Sequence, residues 1–374
     1  MEEVEVIIVG AGPSGLATSA CLSRRNISNI VLEREECCGS LWKKRSYDRV
    51  KLHLAKQFCE LPHMPYPKGT PQFVPKNEFI QYLDNYVSHF GITPRYLRTV
   101  EAAIFDVDIG KWRVAVRNTG LGVEEVYYGE FLVVATGENS EGYIPVIKGF
   151  ESFRGVYMHS SSYVNGVEFE GKDVLVVGSG NSGMEIAYDL THWKAKTSIC
   201  VRGPIHVLTK EIVFVAMFLL QFFHVKLIDI MAVALGKLKY GNLSKFGLPS
   251  PKKGPFFLKA TTGRSATIDV GCVEKIKAGE VKVFPSITSI EGNEIKFENG
   301  KIDRFDAIIF ATGYRSTDKD YLFDDSGMPK ESFPNHWKGK NGLYCAGFAR
   351  RGLLGISDDA ENIAKDISIA LNKN

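Results

Sequence analysis

The chain has 374 residues, 44% hydrophobic and 24% charged, and carries a formal net charge of +3 at pH 7. That length predicts two or three domains with cores of their own, and the near-balanced, dispersed charge gives no basic face for nucleic acid. The acidic start lacks the basic region and apolar run of a secretory signal, and the seven cysteines show no CxxC pair and no metal-ligand spacing, so reduced thiols and no metal are expected.

The first predicted strand, 6–9, runs into Gly10-Ala11-Gly12-Pro13-Ser14-Gly15 and then a helix-like stretch. In this GxGxxG spacing the first Gly makes a tight turn and the second lets backbone approach a pyrophosphate. The third lets helix pack on strand. The next strand, 30–32, ends at Glu33, 23 residues after Gly10. An acid there accepts hydrogen bonds from ribose hydroxyls, which fits a dinucleotide such as FAD. A strand at 112–116 predicts a small antiparallel meander. Strand 131–134 then leads into Ala135-Thr136-Gly137, small residues that let the chain pass close to a dinucleotide. Gly142, Pro145 and Gly149 mark a hinge at 138–149.

Strand 174–177 opens the second fingerprint, Gly178-Ser179-Gly180-Asn181-Ser182-Gly183, and Arg202 ends the following strand 24 residues after Gly178. An Arg at this position favours a 2′-phosphate, hence NADPH. The apolar run 212–223 is 12 residues long. A spanning helix needs roughly 20, so a buried or substrate-lining helix is expected, with membrane contact no deeper than the surface. A second meander is predicted around 281–284. Strand 307–310 leads into Ala311-Thr312-Gly313, and Ile363, Ile367 and Leu371 predict a helix over 358–371. The order strand, glycine turn, helix, charged strand end and ATG thus occurs twice. It predicts an α/β fold of two Rossmann-like dinucleotide-binding domains. The NADPH domain, 147–310, is inserted into the FAD domain, 1–146 and 311–374.

Residues 153–163 match FxGxxxHxxxY, with Phe153, Gly155, His159 and Tyr163 in place, and resemble the identifying motif of class B flavin monooxygenases. His159 is read as an anchor of the linker near the nicotinamide nucleotide. The segments 41–45, 47–62, 135–139, 310–316 and 343–348 are similar to those of the plant YUCCA enzymes, and the resemblance covers essentially the whole chain. It implies oxidative decarboxylation of indole-3-pyruvate to the auxin indole-3-acetate with FAD, NADPH and O₂, through an oxygenated flavin at C4a. It also implies site residues. His53, Lys56 and Asn139 are the catalytic candidates. Trp42, Thr136 and Gly137 join the first glycine turn and Glu33 at FAD. Thr312, Gly313 and Tyr314 join the second turn and Arg202 at the nucleotides, with Glu138 beside Asn139.

For the substrate, 214–223 and Leu353-Leu354 offer apolar surface, and Lys56, Arg49 or Arg350 a cation for the carboxylate. Two positions depart from the pattern. Ala55 stands where most of the family has Pro, and His53 where other class B enzymes have Asn. The reading places the protein in the cytoplasm, with a peripheral position at the endoplasmic reticulum left open. Two alternatives remain: N- or S-oxygenation of soft nucleophiles, and a non-catalytic FAD-binding partner protein. The second fingerprint with Arg202 argues against the latter, and the lack of CxxC argues against a disulfide reductase.

Overall fold

The computed structural model of the chain describes residues 2–139, 141–315, 329–331 and 333–372. The chain divides into two compact units: 1–45, 56–141 and 314–374 form the first, and 46–55 with 142–313 the second. The boundaries expected from the sequence are 146/147 and 310/311, with 46–55 in the first domain. Its transfer has a local cause. Tyr47 Oη donates to Glu185 Oε2 at 2.7 Å, Arg49 Nη1 to Asp189 Oδ1 at 3.2 Å, and the Asp48 N–H to the Val164 carbonyl at 3.0 Å.

In the first unit, strands Asn29–Leu32, Glu2–Val9, Val123–Val134 and Leu343–Cys345 lie side by side in parallel. The Val/Ile-rich centre of Glu2–Val9 is buried, as a parallel sheet covered on both faces requires. Val123–Val134 then continues antiparallel into Lys111–Asn118 and Arg98–Asp106, which is the expected meander. Helix Pro13–Ser23 is made of small residues and is buried from Ser14 through Leu22. It packs against helix Leu353–Ala370. That helix begins five residues before the expected 358. Asp359 lies inside the helix, and its Oδ2 accepts the Gly347 N–H at 2.8 Å.

In the second unit, strands Val281–Phe284, Lys196–Cys200, Asp173–Val177, Ala307–Phe310 and Val156–His159 form a parallel sheet in that order. Strand 281–284 is therefore an edge of this sheet rather than part of a meander. The meander follows it, as Ile287–Glu291, Glu294–Phe297 and Ile302–Arg304. Phe284, Phe297, Phe305 and Phe310 close the core between them, each burial contributing about 1.5–3 kcal/mol. The apolar run 212–223 falls mostly on helix Lys210–Leu219, capped by Thr209, whose Oγ1 accepts the Ile212 N–H. Only Val213 and Ala216 of this helix are buried, while Phe218, Phe222 and Phe223 are exposed, so the expectation of a buried helix is corrected. No helix among the described residues is long and apolar enough to cross a membrane.

Candidate functional site

Both glycine turns are built alike. Gly10 and Gly178 adopt φ of +107° and +117°, where a side chain is strained. A Cβ on either would come within 2.6 or 2.4 Å of the Ala135 or Ala311 carbonyl oxygen. These are the alanines of the two ATG segments, whose backbone is pressed directly against each turn. Gly15 and Gly183 play the third role: a Cβ on either would stand 1.9 Å from the carbonyl oxygen of Gly10 or Gly178. Gly12 and Gly180 differ, for a Cβ there meets no atom within 4 Å. Each is an extended N-cap without a side-chain cap bond, so its helix presents first-turn N–H groups to a ligand. The space at Gly12 and Gly180, together with these donors, fits a pyrophosphate.

Around the first turn lies a cleft of about 400 Å³. Gly10, Gly12, Pro13, Ser14, Glu33, Trp42, Thr136 and Gly137, the residues expected at FAD, line it together with Glu138 and Asn139. Ala11 stands behind the wall. It is buried, and its N–H donates to Glu33 Oε2 at 2.7 Å. Glu33 Oε1 accepts the Glu35 N–H at 2.9 Å. Burial nevertheless pushes the Glu33 carboxyl above the ordinary range, against the lowering effect of those two N–H groups. Trp42 is set edge-on against Phe79 at 4.6 Å between ring centroids. The sequence reading gives Arg34, Arg45 and Arg98 no place in the site, yet all three line the cleft, as do Leu353, offered there as apolar surface, and Ile356. A signal for the helix start was present: Gly352, at φ 61°, is a further glycine before an apolar helix.

The second turn is buttressed by an inserted strand. The Thr267 hydroxyl donates to the Ser179 carbonyl at 2.9 Å, and Asn181 Oδ1 accepts the Ile268 N–H at 2.8 Å. Arg202 is exposed just beyond strand Lys196–Cys200. Ser182 is half-buried in the first turn of helix Asn181–His192.

His159, Thr312 and Gly313 meet within this unit. His159 Nε2 donates to the Gly313 carbonyl at 2.9 Å, while Nδ1 accepts the Ser161 N–H at 3.2 Å. The Thr312 hydroxyl donates to the Tyr143 carbonyl. Burial holds the His159 imidazole below its usual 6.5. A Cβ on Gly142 would strike the His159 ring at 2.2 Å, so the hinge glycine is needed here. Tyr314 is half-buried where the chain returns to the first unit.

The three catalytic candidates are divided. Asn139 lines the first unit's cleft. Lys56 is also in the first unit, and its Nζ donates to the Thr70 carbonyl at 2.7 Å. His53 belongs to the second, with Nε2 at 3.4 Å from the buried Glu185 carboxylate. Of the other cations, Arg49 is paired with Asp189 and stacked 4.5 Å over the Tyr188 ring, while Arg350 is exposed.

The two turns are the dinucleotide geometry, and comparison with known proteins says whose. The model of the flavin-binding monooxygenase-like family matches residues 3–333. The chain is 52% identical to the "Probable indole-3-pyruvate monooxygenase YUCCA10" of Arabidopsis thaliana, covering 98% of this chain and 97% of that one. The chain belongs to the YUCCA branch of the flavin-binding monooxygenases. It is also 46% identical to the "Indole-3-pyruvate monooxygenase YUCCA1" of Oryza sativa subsp. japonica, over 96% of this chain and 90% of that one. Among solved structures it shares its fold with an OTEMO complex with FAD and NADP, at TM-score 0.76 and 17% identity, over 99% and 84% of the two chains. As a YUCCA-branch protein the chain is a flavin-dependent monooxygenase, in agreement with its first glycine turn.

Proposed function

We propose that this protein converts indole-3-pyruvate, NADPH, a proton and O₂ into indole-3-acetate, CO₂, NADP⁺ and water, and so supplies auxin. The observation that carries the reading is the repeated turn with opposite charge at the strand end: Glu33 after the first, Arg202 after the second. FAD held in the first unit would supply the chemistry, accepting hydride from NADPH and activating oxygen for the substrate's keto carbon. The first unit binds FAD through Gly10, Gly12, Ser14 and the N-terminal turn behind them, with Glu33 on the ribose. The second binds NADPH through Gly178, Gly180 and Ser182, with Arg202 on the 2′-phosphate. The cleft position of Asn139, beside Thr136 and Gly137, supports a role at the flavin.

Lys56 and His53 act as positioning residues, since each is already committed to a partner of its own unit. Arg350, exposed at φ 55°, is the cation offered to the substrate carboxylate. The protein is assigned to the cytoplasm. Exposed Phe218, Phe222 and Phe223 support contact with a membrane surface, that of the endoplasmic reticulum included.

The test is direct. FAD-loaded protein is mixed with NADPH, ¹⁸O₂ and indole-3-pyruvate. The expected products are CO₂ and indole-3-acetate with one ¹⁸O in its carboxylate, the second oxygen atom leaving as water. If a thioether or amine gains oxygen efficiently while indole-3-pyruvate is untouched, the reading fails in favour of soft-nucleophile oxygenation.

A further inference from the structure

Away from the FAD-lining residues, three metal-ligating side chains of the first unit converge. Cys21 comes from helix Pro13–Ser23, His63 from a tight turn, and Glu361 from helix Leu353–Ala370. Cys21 Sγ is 3.8 Å from His63 Nε2, which is 2.8 Å from Glu361 Oε1, and all three ligand atoms lie within 4.8 Å of one another. Tetrahedral zinc with thiolate, imidazole and carboxylate ligands would set those edges at roughly 3.3–3.6 Å, so the His63–Glu361 edge must open and the Cys21–His63 edge must close by a fraction of an ångström.

The residue that must be held most firmly is held. The turn is closed by a bridge between Leu61 and Met64. Tyr82 Oη accepts the Leu61 N–H at 2.9 Å and donates to the Met64 carbonyl at 2.6 Å, and Tyr86 Oη donates to the Pro62 carbonyl at 2.9 Å. His63 itself sits at φ 65°, a conformation a histidine rarely adopts unless its surroundings impose it. Arg25, one turn beyond Cys21, lies 4.0 Å from the other Glu361 oxygen and orients the carboxylate. Glu361 also lines a cavity of about 350 Å³ with Pro62 and Trp337.

We propose that Cys21, His63 and Glu361 form a site for a divalent ion of the zinc class, with a water molecule as the fourth ligand. Sulfur, imidazole nitrogen and carboxylate oxygen together suit zinc rather than magnesium or calcium, which take oxygen. Binding replaces the thiol proton, which is released to solvent. Without metal that proton is firmly held, because burial and the Glu361 charge push the thiol up to about 12. The ion ties the helix that follows the first glycine turn to helix Leu353–Ala370 and to the 61–64 turn. Its role is a clamp on the fold.

The test uses the full chain with FAD bound, stripped with a chelator and titrated with Zn²⁺ against a chromophoric competitor. Co²⁺ serves as a spectroscopic probe. One equivalent should bind, a thiolate-to-cobalt band should appear in the difference spectrum, and the melting temperature should rise. Cys21→Ser and His63→Asn should each weaken binding by at least about tenfold and abolish or diminish that band. Asn tolerates left-handed backbone, so His63→Asn keeps the turn and decides the matter if Cys21→Ser does not fold. Cys37→Ser should change nothing. Binding well below one equivalent, or parental affinity in the folded His63→Asn variant, overturns the site.

Discussion

A Cβ added at Gly12 meets no heavy atom within 4 Å, whereas one added at Gly15 would lie 1.9 Å from the Gly10 carbonyl oxygen. Gly12 has open space beside it and Gly15 has none, which separates two variants that sequence alone would treat alike. Gly12→Ala should fold with parental circular dichroism and melting yet purify with little flavin, because its methyl occupies space meant for pyrophosphate. Full flavin absorbance per chain in that variant would remove FAD from this turn. Gly15→Ala should instead be destabilised by about 1–3 kcal/mol or more, since backbone must move. Arg202 is the residue that distinguishes the second turn. Arg202→Gln should weaken NADPH binding roughly ten- to a hundredfold and leave NADH nearly unchanged. Equal losses for both nucleotides in a titration would show that Arg202 does not read the 2′-phosphate.

Among the elements, helix Asn181–His192 does two jobs. Its N-terminus closes the second glycine turn, and its buried Glu185 and Asp189, four residues apart on one face, receive Tyr47, His53, Arg49 and Tyr163. Strand Val156–His159 ends on a residue with a comparable burden. His159 bonds through Nε2–H and an accepting Nδ1, which only the neutral ring can do. Its pKa in the folded chain is depressed below 6.5 by burial. Above that value neither state carries the proton and the contribution to stability is complete. As pH falls below it the unfolded chain takes up a proton that the folded one resists, so stability is lost until the folded pKa is passed. Urea midpoints should therefore fall as pH drops below about 6.5. The fall should be shallower in His159→Gln, whose amide can still donate to Gly313 but does not titrate. Parallel pH curves for the two proteins would contradict this.

At the scale of the molecule, one plan is used twice. Each unit has a parallel sheet, a turn opened by a positive-φ glycine and a carbonyl from an ATG segment pressed against it. The units differ in what surrounds the turn. In the first, Arg34, Arg45 and Arg98 join Glu33 at the cleft, and a further glycine-led helix start completes the wall. In the second, strands Val207–Leu208 and Thr267–Ile268 brace the turn from behind. The ground plan was legible because each turn is a local device, written in consecutive residues. The bracing was not, because Thr267 lies 88 residues from the Ser179 carbonyl it supports.

By itself the sequence determined what short-range physics decides. Buried Val/Ile runs made the strands, glycines at Gly10 and Gly178 allowed φ that side chains resist, and Glu33 and Arg202 set opposite preferences at matching strand ends. The tertiary structure decided every pairing of groups distant along the chain. It moved 46–55 into the second unit, because Tyr47 and Arg49 find carboxylates 138 and 140 residues away whose burial would be costly unpaired. It joined Lys56 to the Thr70 carbonyl and Asp359 to the Gly347 N–H. It also brought Cys21, His63 and Glu361 together, although no spacing along the chain marks them as ligands. Spacing records only neighbours on one helix or turn, whereas hydrogen bonds, ion pairs and metal ligands form wherever folding brings their atoms within reach.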